Sequence, residues 1–187
     1  MRYHAFMSHS QADASGTVAM MCFAYEALGL HNWVDMRQSD LTLEGMRKGV
    51  RDSDVFLLVL TEHVLASWYC QQEMLQAIAS AKKIQLLLEE GSHFAPFDMV
   101  AWEASRGQAT RMVSDTSGTP KEVPPEICKM IDDRLAEAVT SIARADKTQN
   151  AWHFLAHNNM SVSLLKTRSS CCIKREARFL LQCHDLG

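Results

Sequence analysis

No apolar stretch in this 187-residue sequence approaches the roughly 18 residues that a membrane-spanning helix needs, so no membrane partner is expected. Long basic runs are missing too. The net charge is −3, which is not the electrostatic footprint of a nucleic-acid binder. None of the six cysteines forms a C-x-x-C pair. Cys171 and Cys172 lie near Cys183 and His184, but their spacings match no usual zinc arrangement, and the remaining histidines are scattered. No metal site is expected. Proline is sparse, and three of the four fall in "TSGTPKEVPPE" (residues 116–126), which reads as a loop. Internal repeats and low-complexity tracts are absent. The opening "MRYHAFMSHS" runs into a strand-like segment without the apolar core of a signal peptide. A soluble, cytoplasmic protein is therefore expected. The apolar content of 47% is enough to bury a core without a metal or disulfide, and the length suits one domain with some excess.

What is present is alternation. "YHAFM" (residues 3–7) reads as a strand that ends in the polar run "SHSQADASG". Val18, Met21, Cys22, Tyr25 and Leu28 then recur at helical spacing, with Asp13 as a candidate cap and Gly29 as the stop. "LHNWVD" is a second strand ending at Asp35. The polar loop "MRQSDLTLEG" leads to a short helix, "EGMRKGVRDS". "DVFLLVLT" is a continuous apolar run, as expected of a strand buried on both faces at the centre of a parallel sheet. "SWYCQQEMLQAI" is an amphipathic helix and "IQLLLEE" (residues 84–90) a fourth strand. Strand and helix alternate throughout, so the expected fold is α/β: a doubly wound, flavodoxin-like parallel sheet with helices on both faces. Sites in such sheets gather beyond the carboxyl ends of the strands. Further on, "FDMVAWEASR" suggests a short helix and "EICKMIDDRLAEAVTSIARA" a long one. "MSVSLL" reads as a last strand and "KREARFLLQC" as a final helix.

One residue is out of pattern. Cys70, Met74 and Ile78 form one apolar helical stripe, and Glu73 borders it. Long acidic side chains usually face solvent, so this carboxylate is either an ordinary surface charge or one held at the rim of a pocket.

Taken in order, these segments resemble the Toll/interleukin receptor (TIR) domain family. "YHAFMSHSQAD" resembles the family's opening strand and its polar turn. "D-L-T-L-E-G-M" resembles the mobile loop that ends in Leu-x-x-Gly. "S-W-Y-C-Q-Q-E" resembles Ser-x-Trp-Cys-x-x-Glu, with Tyr69 standing where the family often has Trp. The resemblance is clear over about residues 2–107. It implies a TIR-like domain over residues 1–146. Residues 147–187 are then either the end of that domain after an insertion, with "IKREARFLLQ" as its last helix, or an irregular tail.

The resemblance also implies a chemistry. Many TIR domains of this kind cleave NAD between nicotinamide and ribose, using one glutamate in the helix after the third strand. That position is Glu73. An ordinary glycosidase needs a second carboxyl group to protonate the leaving oxygen. Nicotinamide is bound in NAD as a pyridinium and departs neutral, so one carboxylate that binds the ribose hydroxyls and steadies the cationic sugar can suffice. NAD would be substrate, with no cofactor, and the product ADP-ribose, linear or cyclic. Phe6, Ser8 and His9 end the first strand and are candidates to line the nucleotide site, although Phe6 equally suits core packing and His9 a surface or capping role. Asp35 is a candidate ligand contact but better suits bracing the loop. Trp68 can stack on a ligand ring or pack against its neighbours. The expected partners are NAD and other TIR domains, by self-association. A non-enzymatic signalling module working by such association is the competing expectation.

Overall fold

Burial alternates along the first strand, and that alternation sets the layers. The computed structural model describes residues 2–90, 96–146 and 162–166. In β1 (Tyr3–Ser8), Phe6 packs to one side of the sheet, and Ala5 and Met7 to the other. β3 (Ser53–Leu60) does the same, with Phe56, Leu58 and Leu60 on the first side and Leu57 and Val59 on the second. Both faces of β3 are apolar because both are covered. The strands pair in the order β2-β1-β3-β4-β7, all parallel, where β2 is Asn32–Trp33, β4 Lys83–Glu90 and β7 Val162–Lys166. β3 is therefore central, as its apolar run requires.

Among the described residues, α1 (Gln11–Glu26) covers the Ala5–Met7 side with Ala14, Val18, Cys22 and Tyr25. The opposite side is covered by α2 (Leu43–Arg51), α3 (Trp68–Ala79) and α5 (Pro125–Asp146), through Met46, Val50, Met74, Ala77, Ile127 and Ile131. The expected doubly wound α/β sheet with helices on both faces is the observed fold. No helix among the described residues is long and apolar enough to cross a membrane.

Three local readings are corrected. Asp13 does not cap α1. Ser10 is the residue at the cap, and Asp13 lies inside the first turn, where it accepts the backbone N–H of His63 at 3.1 Å. The second strand is only two residues long, and Asp35 opens a single 3-10 turn, Asp35–Arg37, instead of ending the strand. Residues 116–126 are not simply a loop. Pro120–Val123 (β6) pairs antiparallel with Arg111–Ser114 (β5), just after the short helix α4 (Met99–Ala104). Proline is tolerated at the first residue of such an edge strand because no ladder donor is needed there. The hairpin turns on Asp115, whose carboxylate accepts the N–H groups of Ser117 and Thr119 at 2.9 Å each, and on Gly118, at φ 78°. The expected final helix "KREARFLLQC" lies outside the described residues.

Gly49 shows how tightly the loop strand is held. A Cβ there would sit 2.5 Å from the Trp33 indole, and Trp33 stacks on Phe6 at 4.3 Å with planes 10° apart. Alanine is normally worth about 1 kcal/mol over glycine inside a helix. Here overpacking, at roughly 1–3 kcal/mol, outweighs that gain. Gly49→Ala is expected to lose about 1 kcal/mol in urea unfolding and Gly49→Val clearly more. A stabilised Gly49→Ala would refute this packing.

Candidate active site

Glu73 lies on α3, one helical position before the core residue Met74, and this phase turns it inward. It is 8% exposed. Ser67 starts the helix as its cap, accepting from the N–H of Cys70, and so fixes that phase. The residue that meets Glu73 is Ser8, the last of β1, whose hydroxyl donates to Glu73 Oε2 at 2.6 Å. Ser8 lies on the same side of the sheet as Phe6, two residues earlier, and pairs in register with Leu58 of β3. The chain crosses from β1 to β2 on one side and returns to β3 on the other. The Ser8–Glu73 pair therefore sits at the topological switch point, beyond the carboxyl ends, where doubly wound sheets bind ligands.

The electrostatics of the pair are unusual. Burial pushes the Glu73 carboxyl up to about 8, against the hydrogen bond from Ser8, which favours the ionised form, and with added repulsion from Asp35. Cys70, one turn back, donates its thiol to the His9 carbonyl at 3.3 Å. Burial and the nearby Glu73 push that thiol up to about 12, so it is a packing and hydrogen-bonding group and not a nucleophile. Asp35 accepts from Gln11 Nε2 at 2.6 Å and from the N–H of Met36 at 2.7 Å. It braces the turn that opens the 36–43 loop against the start of α1.

The sequence candidates thus separate. Ser8, His9, Asp35 and Glu73 are gathered at the end of β1. His9 is 5% exposed. Its Nδ1 lies 3.3 Å from the Met7 carbonyl, and its buried Nε2 has no hydrogen-bond partner among the described residues. Phe6 is fully buried between Trp33 and Phe56, with ring centroids at 4.3 and 5.4 Å, so its ring serves the core. Trp68 is 53% exposed at the start of α3 and meets Tyr69 edge-on at 5.1 Å. It makes no hydrogen bond or ring contact with the Ser8–Glu73 pair. From sequence, Cys70 belongs to the apolar stripe of α3 and Gln11 carries no signal. Cys70 is also part of the Glu73 motif, whereas Gln11 meets Asp35 from 24 residues away. A cleft of about 570 Å³ does exist, but Lys82 and Lys83 help line it at the amino end of β4, the far end of the sheet from Ser8. No group of His, Cys, Asp and Glu among the described residues is arranged to hold a metal ion.

A parallel sheet of this order, with helices on both faces, defines a doubly wound α/β domain. The family model of the TIR domain matches residues 6–111, more than half of the chain, and the protein belongs to that family. Among solved structures, the chain is similar to the TIR domains of the activated Roq1 resistosome directly recognising the pathogen effector XopQ, at 15% identity, with a TM-score of 0.51 and 96% of this chain and 98% of that one covered. It is also similar to the TIR domain of the Toll-related receptor TRR-2 from Hydra magnipapillata, at 15% identity and a TM-score of 0.42, covering 56% of this chain and 89% of that one. No curated protein matches significantly.

Proposed function

We propose that this TIR domain is an NAD glycohydrolase that cleaves the nicotinamide–ribose bond, with Glu73 as its catalytic carboxylate. The observation that carries the reading is the buried Glu73, held by Ser8 at the carboxyl end of β1. A protein does not bury an ionisable carboxyl beside one hydroxyl for stability, because the charged form is penalised. The same burial is useful in chemistry. The pyridinium of bound NAD is a positive charge that draws the proton off Glu73. That proton passes to solvent, the carboxylate faces the ribose and stabilises the cationic sugar as neutral nicotinamide leaves, and a water then adds to the ribose carbon and gives up a proton to solvent. Ser8 donates to that carboxylate throughout. The unpartnered Nε2 of His9 is a further polar group ready for the ribose or a bound water. NAD is substrate here, and the site calls for no metal or cofactor. A cytoplasmic location, where NAD is plentiful, belongs to this reading.

Because Glu73 is closed in, the site has to open before NAD can enter. Assembly with further copies of the domain is the expected trigger. Purified protein incubated with NAD should release nicotinamide and an ADP-ribose product identifiable by mass spectrometry. The rate per molecule is expected to rise with protein concentration or crowding. A constant rate per molecule over a wide concentration range would mean a self-sufficient monomer.

A second reading is a scaffold that works only by TIR–TIR association. Its support is the exposed apolar set of Met20 and Phe23 on α1 and Met36 on the following turn, together with the likeness to the Roq1 TIR domains. Absence of NAD cleavage by the concentrated, assembled protein would favour it.

A further inference from the structure

Beyond β3 the chain runs through Thr61 and Glu62 to His63, and the first turn of α1 lies against it. Asp13, 50 residues away in sequence, holds His63 at two points. Its Oδ2 accepts the backbone N–H at 3.1 Å, and its Oδ1 meets the ring Nδ1 at 2.8 Å. The Asp13 side chain is 4% exposed and the His63 ring 20%. Burial alone would raise the Asp13 pKa, but hydrogen bonding led by His63 outweighs it and holds the carboxyl below its ordinary range. An ionised Asp13 requires Nδ1 to carry a proton, which fixes the orientation of the ring. Nε2 then has no protein hydrogen bond among the described residues and is the nitrogen left to meet a ligand.

The position of this pair is as informative as its geometry. Ser8, which holds Glu73, and Asp13, which holds His63, are five residues apart on one segment. Their Cα atoms are therefore separated by at most about 17 Å, at the adjoining carboxyl ends of β1 and β3. That is within the reach of one dinucleotide. We propose that His63, fixed by Asp13, is a further ligand-positioning residue, donating from Nε2 to a phosphate of the dinucleotide whose ribose lies at Glu73. Donation from Nε2 requires the ring to take up a second proton from solvent as the phosphate binds, giving an imidazolium held between the Asp13 carboxylate and the phosphate, a charge-assisted arrangement stronger than a neutral hydrogen bond. The inference rests on the dinucleotide reading above, but it concerns binding and not bond cleavage.

The test uses ADP-ribose and inorganic pyrophosphate as probes, neither of which needs turnover. By calorimetry on the full chain, His63→Ala should bind ADP-ribose about tenfold more weakly, a typical effect of one charge-assisted contact. His63→Lys should recover most of the pyrophosphate affinity. In turnover, His63→Ala should raise KM for NAD with kcat within about twofold, and His31→Ala should match wild type. Glu73→Gln should keep ADP-ribose binding, so a wild type that binds ADP-ribose through His63 yet leaves NAD intact would sink the hydrolase reading and uphold this one. Unchanged ADP-ribose affinity in a folded His63→Ala, or no binding of either probe by wild type, overturns the proposal. If His63→Ala does not fold, the nitrogen NMR signal of His63 Nε2 in the wild type decides: it should move on adding ADP-ribose, and a stationary signal is a negative result.

Discussion

Glu73→Gln is expected to release nicotinamide about a hundredfold more slowly than wild type, or slower still. Glutamine keeps the size and the helix propensity of the side chain, and it can still accept from Ser8. What it loses is the charge that faces the cationic sugar. Single electrostatic groups in active sites are worth roughly 3 kcal/mol of transition-state stabilisation, which is about two powers of ten in rate. Glu62 provides the control. It is exposed, lies just past β3, and is outside the Glu73 motif, so Glu62→Gln should be close to wild type. Nicotinamide release by the three proteins, at a concentration where wild type is active, makes the comparison. Equal cleavage by wild type and Glu73→Gln removes Glu73 from the mechanism.

The second large effect is on pH. With its carboxyl raised to about 8, Glu73 is mostly protonated in the free protein at neutral pH. The profile of kcat/KM reports the free enzyme, so it should climb roughly tenfold per pH unit below 8 and level off above. Between pH 6 and pH 8 the ionised fraction grows from about 1% to about half, a rise of about 50-fold. Ser8→Ala removes the hydrogen bond that favours the ionised form and should move the midpoint above 8. A flat profile, or an unmoved midpoint in Ser8→Ala, would mean that ionisation of Glu73 does not limit the reaction.

The same titration appears in stability, with a definite sign. The folded-state pKa lies above the ordinary 4.5, so the unfolded chain releases this proton first. The contribution is fully present below pH 4.5 and is lost as pH climbs through 8. Glu73→Gln does not titrate and escapes that loss. It should unfold like wild type near pH 4.5 and be more stable at pH 8.5, by a difference of up to about 4 kcal/mol. Melting curves of the two proteins at both pH values check this. Parallel behaviour across the range would place Glu73 in contact with water in solution. For a carboxylate at a rim, the charge-removing substitution would leave folding unchanged at every pH, because surface changes usually stay within about 0.5 kcal/mol.

Local pattern alone determined the layers of this protein. The unbroken apolar run at residues 55–60 has to be covered on both faces, which makes it a central parallel strand. The four-residue repeat of Cys70, Met74 and Ile78 fixes a helix phase, and with it the side of the sheet on which Glu73 falls. Both signals come from residues close in sequence, where backbone periodicity is the physical link. What the sequence could not convey is every contact between residues far apart along the chain. Ser8 meets Glu73 across 65 positions and His63 meets Asp13 across 50. Those partners exist only because β1 and β3 pair in register and bring their carboxyl ends together. Asp13 looked like a helix cap because acidic residues near a helix start usually are, but a half-buried imidazole from a distant part of the chain competed for the carboxylate and won. The β5–β6 hairpin was hidden for a related reason. Its strands are short, largely exposed and contain a proline, so neither alternation nor propensity marks them, and only pairing makes them strands. The depth of Glu73, and with it the pH at which its carboxyl ionises, was likewise decided by tertiary packing. Burial depends on what covers a residue from other elements, and no local window of sequence contains that.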